Sequence, residues 1–186
     1  MLFIRQATLS DLPRQMDIYA GARLFMAETG NPGQWGPDRW PPESLVRDDV
    51  TSGKSYVCVS GEDPSSGRVV GTFYFDFGDS PEPDYAALTE GAWPLQGPYG
   101  VIHRIASDRS EKGIGTACIT WAAERSGGDL RIDTHENNKP MRSLLSRLGF
   151  VPCGKTMIGG TKERLCYCLA GSSGDPAANR NMKGGN

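Results

Sequence analysis

Apolar and polar positions repeat with two different periods along the chain, and the changes between them mark the elements. The opening LFIRQ, Leu2 to Gln6, reads as a short strand. Ser10 then caps a helix with Asp11 and Pro13 in its first turn, and Leu12, Met16, Tyr19, Ala22 and Met26 recur at helical spacing. From Thr29 to Pro42 the segment TGNPGQWGPDRWPP loses all period, so a loop is expected, followed by a short helix over Pro42–Asp49. SYVCVSG and RVVGTFYFDF flank the turn segment EDPSSG and predict a hairpin. GDSPEPDYAALTEGAWPLQGP again reads as loop, before YGVIHRIAS forms a fourth strand running through about Ile105.

The second half repeats the alternation. Polar residues from Ser107 to Glu111 precede GIGTACITWAAER, a helix ended by Gly127 and Gly128 in which Trp121 is a packing residue. LRIDTH supplies a fifth strand. Asn138 caps KPMRSLLSRLGF, where Met141, Leu144, Leu145 and Leu148 hold the i, i+3, i+4, i+7 pattern and Gly149 supplies the stop. Strand Phe150–Gly154, a hairpin around Ile158–Thr161 and strand Arg164–Leu169 complete the pattern; the tail GSSGDPAANRNMKGGN is poor in apolar residues.

The 186 residues suit one domain with a sizeable core. A formal charge of −2 offers no basic field for nucleic acid or an anionic membrane surface. No apolar run approaches a membrane span and the start has no cleavable leader pattern, so a cytoplasmic location is expected. Cys58, Cys118, Cys153, Cys166 and Cys168 form an odd set without C-x-x-C spacing, which favours reduced, mostly buried thiols over a disulfide framework, and no metal site is expected.

Two segments could hold phosphate. GFVPCGKT, residues 149–156, matches the P-loop pattern, but a helix enters it and a strand leaves it, the reverse of the order a phosphate cradle needs. Phe150, Val151 and Pro152 inside it suit a strand, so a nucleotide site is rejected there. The productive order occurs earlier, where GVIHRI runs through SDRSEKGIGTA into a helix. Gly113 and Gly115 let backbone approach an anion, and the N–H groups of Lys112 to Thr116 open the helix toward it.

SEKGIGTA followed by LRIDTHENNKPMRSLLSRLGF resembles the acetyl-CoA signature of the GCN5-related N-acetyltransferase (GNAT) superfamily, and the element order agrees over roughly residues 2 to 169. Gly113, Gly115, Asn138, Gly149 and Phe150 match its pattern. Two positions depart: Ser110 replaces an arginine or glutamine, with Arg109 beside it, and Leu145 stands where many members carry a tyrosine that protonates the leaving thiolate. The resemblance implies an α/β (α+β) fold over residues 1–170, a mixed, mostly antiparallel central sheet flanked by helices, with a polar tail at 171–186. Its fourth and fifth strands would splay apart so that pantetheine pairs at Ile105. Acetyl-CoA would then lie on Ile105, Ala106, Lys112, Gly113, Ile114, Gly115, Thr116, Asn138 and Met141.

An acetyl group would move to a primary amine of a small molecule or peptide, and a module that binds acyl-CoA without turnover is the alternative. An amine attacks only when neutral, so the cleft needs proton acceptors. Asp133 is the expected base, by way of water, with His103 and His135 tuning the cleft; a histidine base is the competing assignment, and a carboxylate paired with Arg104 or Arg131 is the structural one. Glu111 and Lys112 read most simply as a solvated rim, with phosphate contact as the functional alternative. Gln34, Trp35, Trp93 and Arg104, with Trp40, are candidates for the acceptor pocket, against simple anchoring of the loops. A homodimer is left open.

Overall fold

The alternation in SYVCVS divides the molecule into two cores. Val57 and Val59 join one apolar cluster, while the intervening Cys58 joins another on the opposite side of the sheet. The computed structural model describes residues 1–36 and 38–170; the tail expected over residues 171–186 lies outside them. Eight strands form one sheet: β1 (Leu2–Gln6), β2 (Ser55–Ser60), β3 (Arg68–Gly78), β4 (Glu90–Gly91), β5 (Tyr99–Ser107), β6 (Asp129–Thr134), β7 (Val151–Ile158) and β8 (Lys162–Ala170). Their order is β1-β2-β3-β5-β6-β8-β7-β4, with β5 and β6 parallel and the other described neighbours antiparallel.

Helices cover both faces. On one, α1 (Leu12–Glu28) and α2 (Glu43–Thr51) bring Ile18, Tyr19, Val46 and Val50 against Val57 and Val59. On the other, α3 (Ile114–Glu124) and α4 (Lys139–Arg147) bring Ile119, Ala122 and Leu145 against Cys58, Phe73 and Ile132. Trp121 packs among Tyr56, Phe73 and Phe75, as its place in the helix predicts. The mixed, mostly antiparallel sheet flanked by helices is the fold class expected.

Several boundaries differ. Ser10 does not cap α1: Leu9–Asp11 forms a 3-10 turn, and the Asp11 carboxylate accepts the Thr8 N–H while Arg5 grips it from β1. The longer acid reaches back to a donor that Ser10, bonded to Thr8 Oγ1, leaves alone. The segment after β3, read as loop, contains a 3-10 turn at Pro83–Tyr85 and the short β4, so the fourth and fifth strands expected are β5 and β6. β7 also runs on past Gly154 to Ile158.

The pairing of β5 with β6 ends early. Only Gly100–Leu130 and Val101–Arg131 are in register, although β5 continues to Ser107 and β6 to Thr134. On its other edge β5 pairs His103 with Tyr74 and Ala106 with Thr72, leaving Arg104 and Ile105 as a bulge in which Arg104 has φ 52°. A positive φ at a non-glycine residue is strained, and a bulge turns the strand locally. The two strands therefore diverge from Ile102 onward, and a cleft opens between them.

GFVPCGKT is divided between elements. Gly149, with φ 84°, ends α4 while Phe150 N–H donates back to the Leu145 carbonyl, and residues 151–156 lie in β7. Lys155 faces Glu90 at 3.3 Å and Glu163 at 3.6 Å on the sheet surface. Lys155→Ala is expected to leave the melting temperature and any acetyl-CoA-induced stabilisation nearly unchanged in a thermal-shift measurement. A loss of ligand stabilisation would assign this segment a binding role after all.

Candidate functional site

The loop between β5 and α3 is fixed from below. Asp108 N–H donates to the Val70 carbonyl, and the Asp108 carboxylate accepts Arg14 and Arg68, each at 2.6 Å, together with the Ser110 N–H and hydroxyl. Partial burial would raise the Asp108 carboxyl, but the Ser110 hydrogen bonds and the Arg68 guanidinium hold it below the usual carboxylate range. Ser110, where an arginine or glutamine was expected from the resemblance, is thereby part of the loop's own scaffold. Gly113 caps α3 with φ 88°, a conformation that costs any side chain. Gly115 sits where a Cβ would lie 3.0 Å from Leu144 Cδ2, so α3 and α4 approach closely. The first N–H groups of α3, from Ile114 to Thr116, precede the Ala117-to-Gly113 hydrogen bond and have no partner within the helix, an arrangement able to hold an anion.

A groove of about 300 Å³ starts at this helix end. Ile105, Ala106, Gly113, Ile114, Gly115, Thr116, Asn138 and Met141 all line it; Lys112 does not. The side chains that supply positive charge to its walls are Arg109, stacked on Phe25 at 4.2 Å, and Arg147, at the last turn of α4. Arg147 was missed because a basic residue ending a helix has an ordinary explanation in the dipole. The groove shares Met26, Ile105, Asn138 and Met141 with a second cavity of about 410 Å³, which occupies the splay between β5 and β6. One continuous channel thus runs from the helix N-terminus, past the bulge, into the sheet.

At the inner end of the cleft His103 lies between two carboxylates. Its Nε2 is 2.9 Å from Glu82 Oε2, an ionic contact whose angle falls short of a hydrogen bond, and its Nδ1 is 3.4 Å from Asp133 Oδ1. Tyr85 donates its hydroxyl to Asp133 Oδ1 at 2.7 Å, and Arg164 Nε stands 3.8 Å from Asp133 Oδ2. Burial alone would lower the imidazole pKa, but Asp133 and Glu82 together raise it to about 9. Burial would likewise raise both carboxyls, yet the imidazolium holds Asp133 and Glu82 below their ordinary values. Burial and the Asp133 charge push the Tyr85 phenol well above 10, so it remains a donor. Near neutral pH the cluster is an imidazolium held by two carboxylates.

The other expected site residues separate into two groups. Gln34 and Trp35 do reach the cleft: Gln34 Oε1 accepts Nδ2 of Asn31 and of Asn138, and Trp35 is buried edge-on against Tyr19. Trp93 lies elsewhere, donating to the Tyr85 carbonyl and stacking on that ring behind the cleft. His135 opens onto a neighbouring hollow beside Thr161 and Glu163, with Nδ1 accepting the Asn137 N–H. Arg104 lines the cleft, but its Nε and Nη2 donate to Asp49 at 3.0 and 2.9 Å, and its guanidinium stacks on Tyr74. Asp133 pairs with neither Arg104 nor Arg131; Arg131 meets Asp129 at 2.7 Å. Glu82, Tyr85, Lys162 and Arg164 are functional candidates that periodicity could not reveal. Glu82 and Tyr85 belong to an irregular segment, and the charges of β8 read as an exposed hairpin.

No protein-family model and no curated protein matches the chain. Solved structures do. An acetyltransferase of the GNAT family from Streptococcus agalactiae 2603 is 28% identical, with a TM-score of 0.79 over 91% of this chain and 95% of that one. A GNAT-family acetyltransferase from Listeria monocytogenes 4b F2365 is 19% identical, with a TM-score of 0.62 over 91% and 94%. Arabidopsis thaliana NAA60 in complex with acetyl-CoA is 16% identical, with a TM-score of 0.61 over 91% and 98%.

The charge cluster makes stability depend on pH with a definite sign. The His103 pKa is raised from 6.5 to about 9, so its contribution is fully present below about 6.5 and lost as pH rises through 9. Asp133 and Glu82 are lowered, so theirs is present above the ordinary carboxylate range and lost as pH falls below it. Taken alone, the imidazole shift corresponds to roughly 3 kcal/mol. The melting temperature is expected to fall between pH 6.5 and 9, and less steeply in His103→Gln. Equal slopes in the two proteins would remove the charge from His103.

Proposed function

Since the chain belongs to the GCN5-related N-acetyltransferase superfamily, we propose that it transfers an acetyl group from acetyl-CoA to a primary amine. The observation that carries this reading is the continuity of the groove and the cleft at Ile105, where the early end of the β5–β6 pairing leaves strand backbone free beside the channel. The diphosphate would rest on the N–H groups at the start of α3, near Arg109 and Arg147. Pantetheine would extend along β5 at the bulge. Its thioester would then enter the splay, where the amine meets it. Neighbouring folds that hold acetyl-CoA or a bisubstrate analogue support this arrangement.

The chemistry requires an ammonium to lose a proton, its nitrogen to bond to the thioester carbonyl, and the C–S bond to break as the amide forms. One ammonium proton passes through water to the carboxylates and on to solvent, and a second is lost as the tetrahedral species collapses; the CoA thiolate takes one proton back. Glu82 and Asp133 supply the negative charge that draws the ammonium in, and through water they accept its proton, with His103 keeping both ionised. His103 lies in contact with both carboxylates, so the three side chains act as one unit. Leu145 is fully buried in the core, which leaves solvent as the proton source for the thiolate. That same leucine favours the second reading, an acyl-CoA-binding module without turnover. Thiol release with amines distinguishes the two.

Gly113→Val is expected to weaken acetyl-CoA binding about tenfold in calorimetry with the fold retained. A Cβ there meets no atom within 4 Å, so the loss would come from forcing the backbone out of its positive φ. Unchanged affinity would move the diphosphate elsewhere. Asp133→Asn and Glu82→Gln should each lower kcat by roughly 10²-fold with little change in acetyl-CoA affinity. The double variant should lose little more than either single one, because the pair acts as a unit. Normal turnover in both single variants would exclude the cluster as the proton acceptor.

A further inference from the structure

Three arginines that lie against the core are matched by carboxylates. Arg5 meets Asp11 at 2.7 Å, Arg104 meets Asp49 at 2.8 Å and Arg131 meets Asp129 at 2.7 Å. Arg164 is as buried as these, at 9% exposure, yet its nearest carboxylate contact is 3.8 Å to Asp133, an acid already shared with His103 and Tyr85. One further nitrogen donates to the Glu163 carbonyl. Lys162, two residues earlier and on the same side of β8, also lines the cleft. Its ammonium lies 5.4 Å from the Trp40 ring and has no carboxylate within ion-pair distance among the described residues. Lys162 is exposed, so the cost of a buried cation without a hydrogen-bonded anion falls on Arg164, and it is relieved if a ligand brings the anion.

The cleft is therefore polarised. Its inner end holds Glu82 and Asp133 about His103, suited to an incoming ammonium, and its β8 wall holds Lys162 and Arg164, suited to an anion. From this juxtaposition we infer that the acceptor is an amino acid, a molecule carrying a carboxylate together with the amine that is acetylated. Trp35 and Trp40, on the loop opposite, leave an apolar wall for its side chain. A polyamine would place its second positive charge against Lys162 and Arg164, which disfavours that class. The inference rests on the acetyl-transfer reading above and adds to it the class of acceptor.

The test compares free amino acids with their α-carboxamides, across aromatic, aliphatic and polar side chains, as acceptors for acetyl-CoA with thiol release as the readout. The carboxamide amine is less basic and so more often neutral, which works against the expected order; a preference for the acid must then come from the carboxylate. At least one acid is expected to exceed its carboxamide by roughly tenfold or more in kcat/KM, chiefly through KM, the scale of one charge-assisted hydrogen bond. Lys162→Met and Arg164→Gln should each bring that ratio toward one. Equal turnover of acids and carboxamides in the unaltered protein, or a ratio unchanged in both variants, overturns the inference and leaves acetyl transfer standing. No turnover of any amine, in a protein that acetyl-CoA does stabilise thermally, overturns the transfer reading and this inference with it.

Discussion

The structure depends on a pairing that stops. β5 and β6 run parallel and share only two residue pairs before they part, so the centre of an eight-stranded sheet contains a gap where backbone groups are left without strand partners. A sheet interior does not tolerate such a gap without something to hold the strands on either side. Here β5 is held by β3 across the bulge, and β6 is held by β8 over six consecutive pairs from Asp129 to Thr134. The strain of Arg104 at the bulge is offset by its bidentate pairing with Asp49 on α2. Burial pushes the Asp49 carboxyl up despite that guanidinium, a sign of how far from water the pair lies. The groove and the cleft both meet at that divergence.

Charge is concentrated where the strands part. His103 comes from β5, Asp133 from β6, Arg164 from β8 and Glu82 from the irregular segment after β3, so four parts of the chain meet in one buried cluster. A buried ion pair is weak support for stability, because desolvation consumes most of the attraction. Its persistence here is better explained by function: the imidazolium keeps two carboxylates ionised in a place where burial alone would protonate them. The arrangement leaves this end of the cleft with two ionised carboxylates about one imidazolium.

Segments without regular structure complete the site. The Trp35 loop is tied to α4 through Gln34, whose carbonyl oxygen receives Asn138, the same residue that caps the helix through Met141 N–H. The segment carrying Glu82 and Tyr85 is fastened by the Tyr99 hydroxyl to the Glu82 carbonyl, by Thr156 to the Asp84 carbonyl and by β4 along β7. Loops so bound act as rigid walls, which is the condition for a cleft to discriminate between acceptors.

Much of this was legible in the chain. The 3.6-residue and two-residue periods placed α1, α3, α4 and most strands, because both are local consequences of which face must be buried. The strand entering SEKGIGTA and the helix leaving it are also a local pattern, and eight of the nine residues expected to hold acetyl-CoA line one groove. Lys112, which is exposed, does not. The partners of charged groups were not legible. From the sequence Asp133 reads also as an ion-pair partner of Arg104 or Arg131, yet the fold gives those arginines to Asp49 and Asp129 and sets Asp133 beside His103, Tyr85 and Arg164. Trp93 and His135 carry the right chemistry but face other hollows, while Glu82 and Lys162 had nothing local to mark them. Periodicity encodes the direction of burial; which charges then meet is decided by strand order and splay, quantities that exist only once residues far apart in sequence have packed.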